Sequence, residues 1–285
     1  MKKFLFVNLL LLFVVAGQLV AQDLISVADL KKNLTNKDLV IIDARKDTEY
    51  KEMHIKGAIN IYHGSLCNDV PIKSIIKPSA DMAAIFAKAG VSEKSMIVVY
   101  DDGSGKYAGR LYWILKYLGA TNVKMLDGNM KAWKAGRASI TATASTLKAT
   151  TFTPTVNKKF LANMDEVKAA QNNSKAVIVD VRPLAEYNGS EGTSTRLGHI
   201  PHAINFDFTK LLKTDGTMKS KEDMLSLLKA AGITSDKEVI AYCTSSVRAG
   251  ILFLALHSVL GYTNVKVYDG ALYEWESIAT NQVVK

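Results

Sequence analysis

Cysteine is nearly absent from this chain of 285 residues: Cys67 and Cys243 are the only two. That scarcity excludes a disulfide framework. A bridge between the pair is not expected either, because they fall at non-equivalent positions of an internal repeat. Basic runs are also missing. The formal charge is +9, but the lysines are spread along the chain without interleaved aromatics, which argues against nucleic acid and leaves a small anionic substrate as the fitting partner. No tract is biased enough in composition for extended disorder, and His63, His202 and His257 show no ligand spacing, so no metal is expected. Beyond the N-terminus no stretch is apolar for long enough to cross a bilayer.

The N-terminus itself is apolar. Met1-Lys2-Lys3 precedes the run Phe4 to Gly17 and a small-residue exit through Ala16, Gly17 and Ala21, the pattern of a signal peptide over residues 1–21. An uncleaved anchor is the alternative; without a Cys at the exit, lipid attachment is disfavoured. The expectation is a periplasmic or secreted protein that is not held in the membrane once the leader is removed.

Internal similarity organises the rest. Met96-Ile-Val-Val-Tyr-Asp101 is answered by Glu238-Val-Ile-Ala-Tyr-Cys243, a spacing of 142 residues. The same spacing links Leu118-Gly119 to Leu260-Gly261, Thr121–Lys124 to Thr263–Lys266, Asp127-Gly128 to Asp269-Gly270, and Trp133 to Trp275. Upstream, Asp43 and Arg45 match Asp180 and Arg182, and His54-Ile55 matches His199-Ile200; insertions, chiefly Gly189 to Thr195, account for the drift. Each copy alternates short β-branched runs with longer amphipathic ones. In the second copy, strands are expected at Ala176–Val181, Val239–Tyr242 and Val265–Val267, and helices at Lys221–Ala231 and Arg248–Leu260. This predicts an α/β fold of two similar domains, residues 22–140 and 158–285, each a parallel sheet with helices on both faces. Residues 141–157, rich in Thr and Ala and broken by Pro154, read as the linker.

Where the first copy has Asp101, the second has Cys243, at the carboxyl end of a parallel strand and just before a helix, where such folds place ligands. A buried Cys in that position would ordinarily have apolar neighbours, yet Thr244, Ser245, Ser246 and Arg248 follow. Loop amides from Thr244 to Arg248 can turn inward as an anion nest, and the following helix adds positive potential. Such surroundings stabilise a thiolate and favour a nucleophile. Asp180 with Arg182, and likewise His199 and His54, recur in both copies and read as structural. Trp133 and Trp275 read as core or interface anchors. Asp102-Gly-Ser-Gly105 lacks the ending of a phosphate loop and reads as the relic of the loop opposite Cys243.

With these residues in place, the chain resembles a tandem-domain rhodanese, a sulfurtransferase. The resemblance rests on Asp180-Val-Arg182, on Gly198-His-Ile-Pro-His-Ala203, on the six-residue loop Cys243-Thr-Ser-Ser-Val-Arg248, and on Tyr268-Asp-Gly-Ala-Leu-Tyr-Glu-Trp275. It implies an inactive first domain and a two-step exchange. Cys243 takes the outer sulfur of a donor such as thiosulfate and passes it to cyanide or a thiol, with ping-pong kinetics and no cofactor or metal. Thr244, Ser245, Ser246, Val247 and Arg248 would bind the donor. The loop departs from the family's Cys-Arg-x-Gly (thiosulfate) and Cys-Gly-x-Gly (mercaptopyruvate) patterns at Thr244 and Ser246, so the donor stays open between thiosulfate and 3-mercaptopyruvate. If Ser246 takes the left-handed conformation that Gly adopts freely, it carries strain of about 1 kcal/mol. In some members a substrate-binding Arg stands where Glu186 stands, which leaves Arg248 as the expected main cation. Two rivals are a sulfur-relay module with little turnover on small donors and a phosphatase, whose Cys-x5-Arg loop is one residue longer than Cys243 to Arg248.

Overall fold

The structure, a computed structural model, describes residues 23–285. The expected signal peptide lies outside the described residues. Among them, no helix is long and apolar enough to cross a membrane.

Valine- and isoleucine-rich runs form two five-stranded parallel sheets. The first contains β1 (Leu24–Ile25), β2 (Leu39–Asp43), β3 (Ile59–Asn60), β4 (Met96–Tyr100) and β5 (Val123–Leu126), in the order β1-β5-β4-β2-β3. The second contains β6 (Leu161–Ala162), β7 (Ala176–Asp180), β8 (Ile204–Asn205), β9 (Glu238–Tyr242) and β10 (Val265–Tyr268), in the matching order β6-β10-β9-β7-β8. The register repeats as well: Asp43 lies opposite Tyr100 in one sheet and Asp180 opposite Tyr242 in the other. Central strands β2, β4, β7 and β9 are buried on both faces, which explains their unbroken apolar runs.

Three helices shape the domain contact and the Cys243 region: α1 (Lys106–Tyr117) after β4, α2 (Leu184–Tyr187) after β7, and α3 (Ala249–Leu254) after β9. The helical path of α3 continues with a π turn over Ala255–Val259, close to the helix expected from Arg248 to Leu260. Helices α1 and α3 face each other across the two domains, and one buried apolar cluster runs from Trp113 and Leu115 through Ile251 and Phe253. Their close approach depends on two glycines. A Cβ on Gly109 would stand 2.6 Å from the Ile251 amide nitrogen, and one on Gly250 would meet the Gly109 carbonyl and the Arg110 nitrogen.

Repeat symmetry also governs the polar contacts between domains. Asp127 accepts from the Met218 amide at 2.8 Å, and its repeat partner Asp269 accepts from the Ile76 amide at 2.9 Å. Ile76 and Met218 are themselves related by the spacing of 142. Arg110, fully buried, pairs with Asp269 at 2.6 Å. Between the sheets, the chain of the expected linker lies along the first domain. Thr141 pairs with His54, Thr150 donates to the Ala87 carbonyl, and the Phe152 ring packs 5.4 Å from Phe86.

Candidate active site

Strand β9 ends at Tyr242, and Cys243 follows it, fully buried. The loop from Cys243 to Arg248 is pinned to the chain after β10: the Leu272 and Tyr273 amides donate to the Cys243 and Thr244 carbonyls, each at 3.2 Å. Ser246 has φ +62°, so the condition under which strain was expected at this position is met. Its hydroxyl donates to the Tyr268 carbonyl at 2.9 Å, an anchor glycine would lack.

The first copy shows what such a loop can hold. The Asp101 carboxylate is buried and accepts from the amides of Gly103 (2.9 Å), Gly105 (3.0 Å), Tyr107 (3.0 Å) and Ala108 (3.3 Å). That loop is an anion nest filled by its own side chain. At the spacing of 142, the corresponding residues of the second copy are Ser245, Val247, Ala249 and Gly250, with Cys243 in the carboxylate's place. The Ala249 amide lies 3.3 Å from the Ser246 carbonyl, within the first helical turn.

A pocket of about 390 Å³ opens beside the loop, lined by Thr244, Ser245 and Arg248, by Glu186 of α2, by Glu191, Gly192 and Thr193, and by Tyr273. Of the five residues expected to bind substrate, the structure brings Thr244, Ser245 and Arg248 to this pocket. It does not bring Ser246 and Val247. Ser246 is turned inward as the loop's anchor, and Val247 lies outside the lining. Tyr273 and the wall from Glu191 to Thr193 were not anticipated as pocket residues. The insertion from Gly189 to Thr195, present in the second copy only, was the available signal.

Arg248, expected as the main cation, lines the pocket but is already paired. Its Nη1 and Nη2 donate to Glu186 Oε1 and Oε2 at 2.6 and 2.8 Å, and Thr244 Oγ1 lies 3.1 Å from Nη2 and 3.3 Å from Oε2. The cause is local: α2 starts two residues after Arg182, and this short helix carries Glu186 across to the loop. Burial by itself would lower the Arg248 guanidinium, but the Glu186 hydrogen bond and the charges of Cys243 and Glu186 outweigh it and raise it. Burial likewise opposes ionisation of Glu186, yet Arg248 holds that carboxyl below its ordinary range.

The repeated polar residues have structural roles. Arg182 and Asp180 form a buried pair at 2.6 Å, as do Arg45 and Asp43. His199 and His54 stack on Tyr187 and Tyr50 and hydrogen-bond their carbonyls. Trp133 and Trp275 are buried and donate to the Ser139 and Gln282 carbonyls. Both thiols are free; Cys67 lies 3.7 Å from Arg110 Nη2 and 3.6 Å from the His63 carbonyl.

Known proteins resemble this chain in sequence and fold over most of its length. The model of the rhodanese-like domain matches residues 26–136 and again 163–278. The thiosulfate sulfurtransferase of Pseudomonas aeruginosa is 29% identical over 249 residues, spanning 87% of this chain and 92% of that protein. A putative thiosulfate sulfurtransferase of Mycolicibacterium smegmatis is 31% identical over 258 residues, with the same shares covered. Among solved structures, SseA from Escherichia coli, described as a 3-mercaptopyruvate sulfotransferase, is similar with a TM-score of 0.81 and 28% identity. The match covers 87% of this chain and 98% of that one.

Proposed function

Because this chain belongs to the rhodanese family, we propose that Cys243 is the residue on which it carries sulfur. The protein is a sulfurtransferase of the rhodanese type. In the first half-reaction the Cys243 thiolate attacks the outer sulfur of thiosulfate. The donor's S–S bond breaks, sulfite leaves with the bonding pair, and Cys243 becomes a persulfide. Cyanide then attacks the outer sulfur of the persulfide, thiocyanate departs, and the thiolate returns. Every atom and electron is accounted for by donor and acceptor, so the exchange calls for no metal or redox cofactor. A thiol acceptor would yield a persulfide in place of thiocyanate.

The observation that carries this reading is the Asp101 nest. Four amides converge on a buried carboxylate in one copy, and the second copy puts a thiol at the same point of the same loop. Amides at Ser245, Val247 and Gly250 would hold the anionic outer sulfur of a persulfide, each such bond to a charged group contributing roughly 1.5–3 kcal/mol. Because those donors are fixed before reaction, they stabilise charge without reorganising. The first domain, with Asp101 in the nest, serves as scaffold, residues 141–157 as linker and residues 158–285 as catalytic domain. Export rests on the apolar run Phe4 to Gly17 followed by small residues, which supports removal of residues 1–21 and a periplasmic or secreted location.

A thiosulfate:cyanide assay run beside a 3-mercaptopyruvate:thiol assay, on wild type and Cys243→Ser, tests the assignment. Turnover that vanishes in the variant with either donor is expected. Turnover that survives in it would refute Cys243 as the carrier.

A further inference from the structure

We propose that Glu186 is a specificity-determining residue: by cancelling Arg248 it makes the pocket selective for a persulfide donor bearing an ammonium group, an amino-acid or peptide persulfide, over a dianion. This inference rests on the sulfur-carrier reading of Cys243 and concerns which donor loads it.

Charge in the pocket is the first argument. Its charged lining side chains are Glu186, Glu191 and Arg248, and Arg248 is engaged by both oxygens of Glu186. What remains uncompensated in the lining is a carboxylate. Both members of the pair keep about a fifth of their side-chain surface exposed, 20% and 19%, so a bound molecule can reach them. A dianion that recruited Arg248 would leave Glu186 beside two further negative charges. Thr244, hydrogen-bonded to both partners, resists that separation. An ammonium group meets the opposite situation: with Arg248 held by Glu186, it faces no free cation and finds the Glu191 carboxylate in the lining.

The wall that carries Glu191 is the second argument. It belongs to the insertion from Gly189 to Thr195, which the first copy lacks. Arg196 ties its end down through the Asn281, Glu276 and Ile278 carbonyls at 2.7, 2.9 and 3.1 Å, and Thr193 Oγ1 lies 3.5 Å from the Tyr273 hydroxyl. The copy that has the thiol thus also has an added, anchored wall with a second carboxylate.

Loading from such a donor balances without a co-reactant. The Cys243 thiolate attacks the outer sulfur of R–S–SH, the donor's S–S bond breaks, R–S⁻ leaves and takes a proton from solvent, and Cys243 holds the S–SH group. The test compares thiosulfate, cysteine persulfide and N-acetylcysteine persulfide as donors to the full protein, with intact mass for loading and kcat/KM for transfer to cyanide. Wild type is expected to prefer cysteine persulfide to its N-acetyl derivative, which lacks the ammonium. Glu186→Gln should raise kcat/KM for thiosulfate about tenfold, mainly through KM, and lower it for cysteine persulfide, the order expected of one partly screened charge. Glu191→Gln, on the exposed wall, should shift the same ratio by a smaller factor. Loading by all donors with the ratios unchanged in both variants, or no preference for the ammonium in wild type, would overturn the inference alone. No loading by any donor would overturn the sulfur-carrier reading together with it.

Discussion

Alanine in place of Gly250 sets a methyl group against the backbone of the opposite domain. The added Cβ would touch the Gly109 carbonyl and lie 2.7 Å from the Arg110 nitrogen, where ordinary contact needs about 3.5 Å or more. These are backbone atoms of α1, so no rotamer change relieves the clash, and α1 and α3 must part by about an ångström. The helices sit in the cluster that joins the domains, and parting them forfeits dispersion contacts along their length. Overpacking ordinarily costs 1–3 kcal/mol; with backbone on one side, about 3 kcal/mol is expected. For a urea dependence of about 3 kcal/mol per molar, the unfolding midpoint falls by roughly 1 M. The same substitution disturbs the start of α3, where the Gly250 amide faces the Cys243 loop in the repeat alignment, so donor KM should rise as well. An unfolding midpoint equal to that of wild type would refute the close packing of α3 on α1.

Two other perturbations test buried charged and titratable groups around Arg110. Arg110→Met leaves the buried Asp269 carboxylate without its cation and should cost about 3–5 kcal/mol of stability by thermal or urea unfolding. The double variant Arg110→Met/Asp269→Asn should recover part of that loss, and equal losses would contradict a paired interface. His63, buried and facing the positive charges of Arg110, Lys106 and Lys46, has its pKa pushed down to about 3, with burial as the larger cause. The unfolded chain therefore binds a proton there, near the ordinary value of 6.5, that the native state refuses. Stability from this group is present above pH 6.5 and declines as pH falls towards 3, by at most about 1.4 kcal/mol per pH unit. His63→Phe should flatten the stability profile across that window, and an unaltered slope would argue against a neutral buried imidazole.

Much of this architecture was legible because the chain states it twice. Asp43-x-Arg45 and Asp180-x-Arg182 mark the same strand end in both copies, and the exchange of Asp101 for Cys243 stands out only against that repetition. The left-handed Ser246 was legible only as a condition, because the family's loop pattern has Gly at that position; the residue itself carried no such signal. The Glu186–Arg248 pair could not be read in this way. Its partners are 62 residues apart, and whether they meet depends on the angle at which α2 leaves β7. Glu186 also matches Glu49 of the first copy, so repetition gave no sign that it would serve the pocket. The exchange of Asp127 and Asp269 between domains was likewise hidden, since each bonds an amide whose identity only the packed pair of sheets determines.

The claim that Cys243 is held in a nest built to carry an extra sulfur is tested most directly by intact mass after donor addition to wild type, Cys243→Ser and Cys67→Ser. A gain of one sulfur atom in wild type and Cys67→Ser, reversed by cyanide and absent from Cys243→Ser, is the predicted result. No gain with any donor, or a gain that persists in Cys243→Ser, would contradict it.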